Sequence, residues 1–252
     1  MAEINEIVRY CDTLLESERF RDYCPNGLQV AGWAEVLRLV SGVTASRALI
    51  EQAIEHEANM LLVHHGYFWK GEDARIVGMK RERIRLLLEH GINLVAYHLP
   101  LDAHPQLGNN AQLAQRLALQ TQGGFGGNGG PDIGLYGELE KPLPGADFAR
   151  HIAGALGREP LYIAGTDRPV LRVAWCTGAA QSYIEQAVTL GVDAFITGEV
   201  SEHTVHVARE CGLHFYAAGH HATERYGVQA LGARLAAEFD IGHTYIDISN
   251  PV

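Results

Sequence analysis

His64 and His65 stand side by side at the end of the most apolar run of the chain, Ala58-Asn59-Met60-Leu61-Leu62-Val63, and Gly66 follows at once. A buried strand that delivers two imidazoles to its exposed end is building a site, and the guest that suits paired imidazoles is a metal ion. The carboxyl end of a strand is also where open α/β sheets bind ligands. Successive residues of an extended strand face opposite ways, so both rings serve one site only if the chain leaves strand geometry there. Gly66 is read as the residue that permits that turn.

Three further strand ends carry residues of the same kind: His98-Leu99-Pro100-Leu101-Asp102, Gly198-Glu199, and Gly219-His220-His221-Ala222-Thr223-Glu224. His220 and Glu224 are four apart at the start of a predicted helix, which sets their side chains on one face with Cβ atoms about 5–6 Å apart. That spacing suits a shared metal. Gly219 lets the chain turn out of the strand, and a helix N-terminus favours the carboxylate. Together His64, His65, Asp102, His220 and Glu224 supply three imidazoles and two carboxylates. Five ligands exceed what one catalytic ion with an open position takes, and a bridging carboxylate is common where two ions sit roughly 3.5–4 Å apart. A dinuclear centre of two divalent ions is the inference, and the ligand types do not distinguish zinc, iron, manganese or nickel. His98 is read as a general base or an orienting partner against a structural hydrogen bond. His203, His206, His214 and His221 are read as surface or supporting residues. Tyr67-Phe68-Trp69-Lys70 is read as one wall of the pocket or an oligomer contact.

The elements that must position these residues come from one unit written twice. Residues 37–66 align without a gap to residues 171–200, identical at seven of thirty positions, with Leu-Arg at the start and Ile-Glu-Gln-Ala in the middle of both. In each copy an apolar run, a small-residue turn, an amphipathic stretch and a second apolar run follow one another, which predicts strand, helix, strand. A third strand follows in each, Gly91–Tyr97 and Gly212–Ala218. Both halves are βαβαβ-like, and parallel strands with right-handed crossovers follow. The expected fold is α/β, two similar α/β domains from an internal duplication with mostly parallel sheets flanked by helices. The Gly-rich stretch 123–131 lacks the Gly-Lys-Ser/Thr ending of a phosphate loop and is read as a flexible connection. The expected domains are 1–122, completed by 220–252, and 123–219.

Composition narrows the function. At 252 residues, 47% hydrophobic and 20% charged, the chain reads as an ordinary globular protein. A net charge of −10 argues against a broad nucleic-acid-binding face. No apolar run is long enough for a membrane span and the acidic amino terminus lacks a signal layout, so a cytoplasmic location is expected. Cys11, Cys24, Cys176 and Cys211 form no C-x-x-C pair and are read as small buried hydrophobes.

With these residues in view the chain resembles the Nif-three-like family, also called GTP cyclohydrolase I type 2 homologues. The matching stretches are Asp22-Tyr23-Cys24-Pro25-Asn26-Gly27-Leu28-Gln29-Val30, Gly42–Ser46, His64–Gly71, His98–Asn110, Phe195–His203 and Gly219–Arg225, in order along nearly the whole chain. The resemblance implies two interlinked α/β domains, a dinuclear metal centre and a ring-shaped homohexamer with its metals facing an internal cavity. It also implies a division of ligands: His64 and His220 on one ion, His65 and Asp102 on the other, Glu224 bridging. The inserted middle domain of larger family members is absent. A metal-dependent hydrolase acting on a nucleotide, cyclic amide or phosphoester is the function expected; the alternative is a non-catalytic metal-stabilised scaffold or a metal-handling protein.

Overall fold

In chain order the elements are β1 (Ala2–Glu3), α1 (Ile4–Leu14), β2 (Gly27–Val30), β3 (Glu35–Val36), β4 (Arg38–Thr44), α2 (Arg47–Glu55), β5 (Met60–His65), α3 (Gly78–Glu89), β6 (Asn93–Ala96), α4 (Leu99–Ala103), α5 (Asn109–Arg116), β7 (Gln120–Phe125), β8 (Gly134–Leu143), α6 (Gly145–Leu156), β9 (Leu161–Ile163), β10 (Val170–Trp175), α7 (Ile184–Thr189), β11 (Ala194–Thr197), α8 (Glu202–Glu210), β12 (His214–Ala217), α9 (His220–Phe239) and β13 (Gly242–Tyr245). They come from a computed structural model that describes residues 2–127 and 129–252. The chain divides into two units, one of residues up to Leu101 with Gly227–Ser249, the other of Asp102–Tyr226 with Asn250–Val252.

The first unit is built on a five-stranded sheet in the order β13-β4-β5-β6-β2. β13, β4, β5 and β6 run parallel, and β2 closes the edge antiparallel to β6. Residues Met60 to Val63 of β5 are fully buried, as a central strand covered on both faces requires. α2 turns Leu49, Ile50 and Ala53 inward, and its first turn is capped by the Ser46 hydroxyl accepting from the Leu49 N–H at 3.2 Å. Val40, Leu61, Val63, Leu87 and Leu94 join them in one apolar cluster. The chain's last strand returns to this unit, where β13 pairs parallel to β4.

The second unit has a six-stranded sheet, β7-β8-β10-β11-β12-β9. Its centre, β10-β11-β12, is parallel and corresponds to β4-β5-β6. β9 closes one edge antiparallel to β12, as β2 does beside β6, and β8 and β7 are antiparallel additions on the other side. Strand alternation sends Val173, Trp175, Ile196 and Tyr216 to one face, where Phe148 and Ile152 of α6 cover them. Ala174, Phe195 and Phe215 go to the other, against Ile184 and Leu213.

The duplication extends to single hydrogen bonds. Asn59 Oδ1 accepts from the N–H groups of Leu37 and Arg38 at 3.0 and 3.1 Å, and Asp193 Oδ2 accepts from those of Leu171 and Arg172 at 3.1 and 2.9 Å. These are equivalent positions of the repeat. Two residues earlier, Glu57 and Gly191 both hold the left-handed conformation, with φ of 50° and 66°. Asn59→Ala should therefore lower stability by about 1–2 kcal/mol by stranding two strand-entry donors, read as a shifted urea midpoint.

The unit boundaries lie at 101/102 and 226/227, rather than at the expected 122/123, at the Gly-rich run, and 219/220, before the returning tail. Gly123 and Gly124 are not a linker but part of β7. A Cβ on Gly123 would stand 2.6 Å from the Tyr136 hydroxyl, and one on Gly124 2.7 Å from Asp132 Cβ, so close cross-strand packing accounts for these glycines. Asn128 of the same run lies outside the described residues.

Candidate metal centre

In the first unit the β4–β5 register sets Thr44 against His65, and the β5–β6 register sets Val63 against Ala96, so the strands finish level and His98 follows closely beyond β6. His64 is fully buried. Its Nδ1 lies 2.9 Å from the Tyr97 carbonyl oxygen. A carbonyl only accepts, so the neutral ring carries its proton on Nδ1 and leaves Nε2 as a lone-pair donor, the arrangement that metal-binding imidazoles use. His65 Nδ1 is 3.1 Å from Thr44 Oγ1. Although consecutive in one strand, the two rings are 4.6 Å apart between centroids at an interplanar angle of 44°.

Gly66 does not act by a left-handed turn. A Cβ there would meet Gln29 Oε1 at 2.1 Å and Ala96 Cβ at 2.7 Å, so the position is closed to a side chain by packing. Gln29 fixes the exit of the strand from both ends of its amide, accepting from the Tyr67 N–H at 2.7 Å and donating to the Tyr67 carbonyl at 3.2 Å.

His98 joins the pair: His64, His65 and His98 offer nitrogens that all lie within 4.8 Å of one another. Its own Nδ1 is 2.7 Å from Asp22 Oδ1. That carboxylate is a hub, accepting also from the Tyr23 N–H at 2.6 Å, Asn26 Nδ2 at 2.9 Å and the Leu99 N–H at 2.9 Å. Burial works to raise the Asp22 pKa, but the His98 hydrogen bond and charge, with the other donors, hold it below the usual carboxylate value. Asp22, Cys24 and His98 form a second cluster of metal-capable donors in this unit. Burial and the Asp22 charge push the Cys24 thiol up to about 12, so it stays protonated at neutral pH. The edge of Trp69 flanks His98 with centroids 5.0 Å apart and lies 6.0 Å from His65, which makes it a wall of the site.

In the second unit Gly219, at φ 99°, turns the chain out of β12, and His220 opens α9. His220 Nε2 lies 3.1 Å from Glu224 Oε2 as helical spacing requires, and Nδ1 lies 2.7 Å from Glu199 Oε1. Burial works to lower the His220 pKa. The hydrogen bond and charge of Glu224, then those of Glu199, outweigh it and raise the group to about 9. Glu224 is 3% exposed and rests on Gly178, where φ is 70° and a Cβ would stand 2.1 Å from Glu224 Oε1. Only glycine leaves that carboxylate its place.

Asp102 is also buried. Its Oδ1 accepts from Asn109 Nδ2 at 2.8 Å, with Thr177 Oγ1 at 3.4 Å. Asn109 and Asn110 are not the caps of the helix they open; Gly108 holds the N-cap position of α5. Asn110 instead accepts from the Thr177 N–H at 3.0 Å and donates to the Ile133 carbonyl at 3.0 Å. The Cys176 thiol is raised well above its ordinary value by burial first, then by the charges of Asp102 and Glu224, so both carboxylates face the same end of β10.

Each unit thus gathers metal-capable donors at the carboxyl edge of its parallel strands. Glu199, noted at its strand end but left out of the expected ligand set, occupies the position of the repeat equivalent to His65. Of the other histidines read from the sequence, His203 and His206 are surface residues facing Glu185 and Glu202, and buried His214 bonds Tyr162 and the Arg168 carbonyl. Cys11, Cys24 and Cys176 are buried as expected, whereas Cys211 is exposed. Among the described residues no helix is long and apolar enough to cross a membrane.

A protein of Pseudomonas aeruginosa named GTP cyclohydrolase 1 type 2 homolog is 56% identical over 248 residues, covering 98% of each chain, and the Escherichia coli K12 protein of that name is 53% identical over 247 residues with the same coverage. Among solved structures, protein ybgI, of unknown function, superposes with a TM-score of 0.96 at 51% identity over all of both chains, and TTHA1606 of Thermus thermophilus with 0.91 at 34%, again over all of both. Residues 2–251 match the family described as Duf34/NIF3 (NGG1p interacting factor 3), and the chain belongs to that family.

Proposed function

We propose that this chain is a metal-dependent hydrolase in which His64, His65, Asp102, His220 and Glu224 hold two divalent ions. The observation that carries the reading is the state of the donors. His64 Nδ1 faces the Tyr97 carbonyl, so the neutral ring presents Nε2 as its ligand atom, and Asp102 and Glu224 bring two buried carboxylates, a donor type that suits a divalent cation. The donor set fits hard or borderline divalent cations, since it mixes imidazole and carboxylate without thiolate. Such ions supply Lewis acidity toward an oxygen of substrate or water.

The chain's own residues set up that chemistry by orientation. The Tyr97 carbonyl and the Thr44 hydroxyl fix the rings of His64 and His65, Asn109 fixes the Asp102 carboxylate, and Glu199 fixes His220. Asp22 holds His98 with its Nε2 facing away from the hydrogen bond, and Trp69 lies beside the His98 ring. A ring-shaped homohexamer is part of the same proposal. The name shared by the relatives puts purine nucleotide ring opening on the list of reactions to assay, beside cyclic amides and phosphoesters.

The test is a hydrolysis panel of nucleotides, cyclic amides and phosphoesters, run on purified protein of known metal content. Turnover that disappears with a chelator and returns with one divalent metal supports the reading. Turnover insensitive to both contradicts it.

A further inference from the structure

The carboxyl ends of β11 and β12 open into a cavity of about 610 Å3 that the metal ligands do not fill. Its size lies in the range of small-molecule sites, roughly 300–1,000 Å3, and its place is the crevice where open α/β sheets take ligands. Arg158, Leu161, Glu199 and Ala217 line it, and Pro251 and Val252 close one side.

Two polar groups in this cavity make a complementary pair. Arg158 Nη1 donates to the Pro251 carbonyl oxygen, so the guanidinium is already holding an amide carbonyl, one supplied by the chain itself. Glu199 Oε1 is committed to His220 Nδ1 at 2.7 Å, while among the described residues its Oε2 is met by Gln181 Nε2 only at the long distance of 3.4 Å. That oxygen retains capacity for an N–H donor. Leu161 and Ala217 add apolar lining to the same cavity. The cavity also adjoins the candidate centre, because Arg158 packs directly over Gly219: a Cβ there would stand 2.9 Å from Arg158 Nε.

The segment that occupies Arg158 is lightly held. Pro251 and Val252 are exposed, and beyond the Arg158 contact the segment is tied by the Val252 carbonyl accepting from the His221 N–H at 3.0 Å. Few buried contacts mean local opening at small cost.

We propose that this cavity binds a small cyclic amide, with the ligand's carbonyl oxygen on Arg158 in place of Pro251 and its N–H on Glu199 Oε2, and that the segment 250–252 is the competitor it displaces. The assignment rests on the hydrolase reading above and names its substrate class.

Isothermal titration of the purified protein with hydantoin, 1,3-dimethylhydantoin and inorganic phosphate tests it. Hydantoin should bind saturably. Removing Asn250–Val252 should tighten it about tenfold, the effect of deleting a competitor held by two ordinary hydrogen bonds. Arg158→Gln in the shortened chain should weaken it at least about tenfold, and dimethylhydantoin, which keeps the carbonyls but lacks N–H groups, should not compete. Failure of hydantoin to bind the shortened chain, unchanged affinity on shortening, or phosphate binding through Arg158 in its stead would each overturn the assignment. Melting curves of the two variants, altered independently, show whether either has lost its fold. Metal content is measured on the same samples: two ions per chain without hydantoin binding sinks the cyclic amide alone, and hydantoin binding without metal sinks the hydrolase reading alone.

Discussion

Glu224→Ala is expected to lower metal affinity by more than about 100-fold, beyond the 10–100-fold that loss of a merely orienting partner costs. The expectation follows from burial. Glu224 is 3% exposed, sits against Gly178, and lies 3.1 Å from His220 Nε2. Removing it deletes a ligand and withdraws the largest of the influences that raise the His220 pKa. Glu224→Gln keeps the volume and one carbonyl acceptor, so it separates lost charge from lost packing: both variants should lose metal, while only alanine leaves a void. Metal analysis after dialysis against weak chelator reads the effect. Parent-like metal content in both variants would remove Glu224 from the ligand set.

The second large effect is on pH. Coordination through His220 Nε2 needs the neutral ring, and the metal-free group titrates at about 9, so below that pH every binding event releases a proton. Affinity for the ion held by His220 should fall about tenfold per pH unit, hence about a hundredfold between about pH 8 and about pH 6. Stability of the metal-free protein has the opposite sign. The folded-state pKa is raised above the unfolded value near 6.5, so this contribution is fully present below about pH 6.5 and is lost as pH rises through about 9. The melting temperature of chelated protein should therefore drop from about pH 7 to about pH 9.5 while that of metal-loaded protein holds. Competition titrations at several pH values, with melts on both forms, measure the pair of trends. A metal affinity flat across this range would exclude His220 as a ligand.

The parts of the site legible in the sequence were those governed by local rules. A histidine pair closing an apolar strand, and His220 with Glu224 one helical turn apart, need only strand and helix geometry to be placed. The duplication was legible because both copies obey the same strand–helix–strand constraints, down to the Asn59 and Asp193 side chains that gather two strand-entry N–H groups each. What escaped depends on neighbours distant in sequence. Gly66 reads as a turn residue until Gln29 and Ala96 are seen to occupy the space its side chain would need. Gly123 and Gly124 read as a linker until Tyr136 and Asp132 of the adjoining segment are laid against them. β7 and β8 add antiparallel pairing that the repeat does not predict, whereas β9 beside β12 matches β2 beside β6. The link of Glu199 to His220 is what the strand end alone did not disclose: the repeat sets Glu199 at the position of His65, and its carboxylate stands 2.7 Å from His220 Nδ1.

Five side chains, His64, His65, Asp102, His220 and Glu224, are proposed to hold a pair of cations. Anomalous diffraction from crystals of metal-loaded protein, recorded on both sides of the metal's absorption edge, tests this most directly. Two anomalous peaks per chain are expected, roughly 3.5–4 Å apart, with imidazole nitrogens and carboxylate oxygens of those five residues at about 2.0–2.2 Å. A single peak, or peaks coordinated without Glu224 or without either member of the histidine pair, would contradict it.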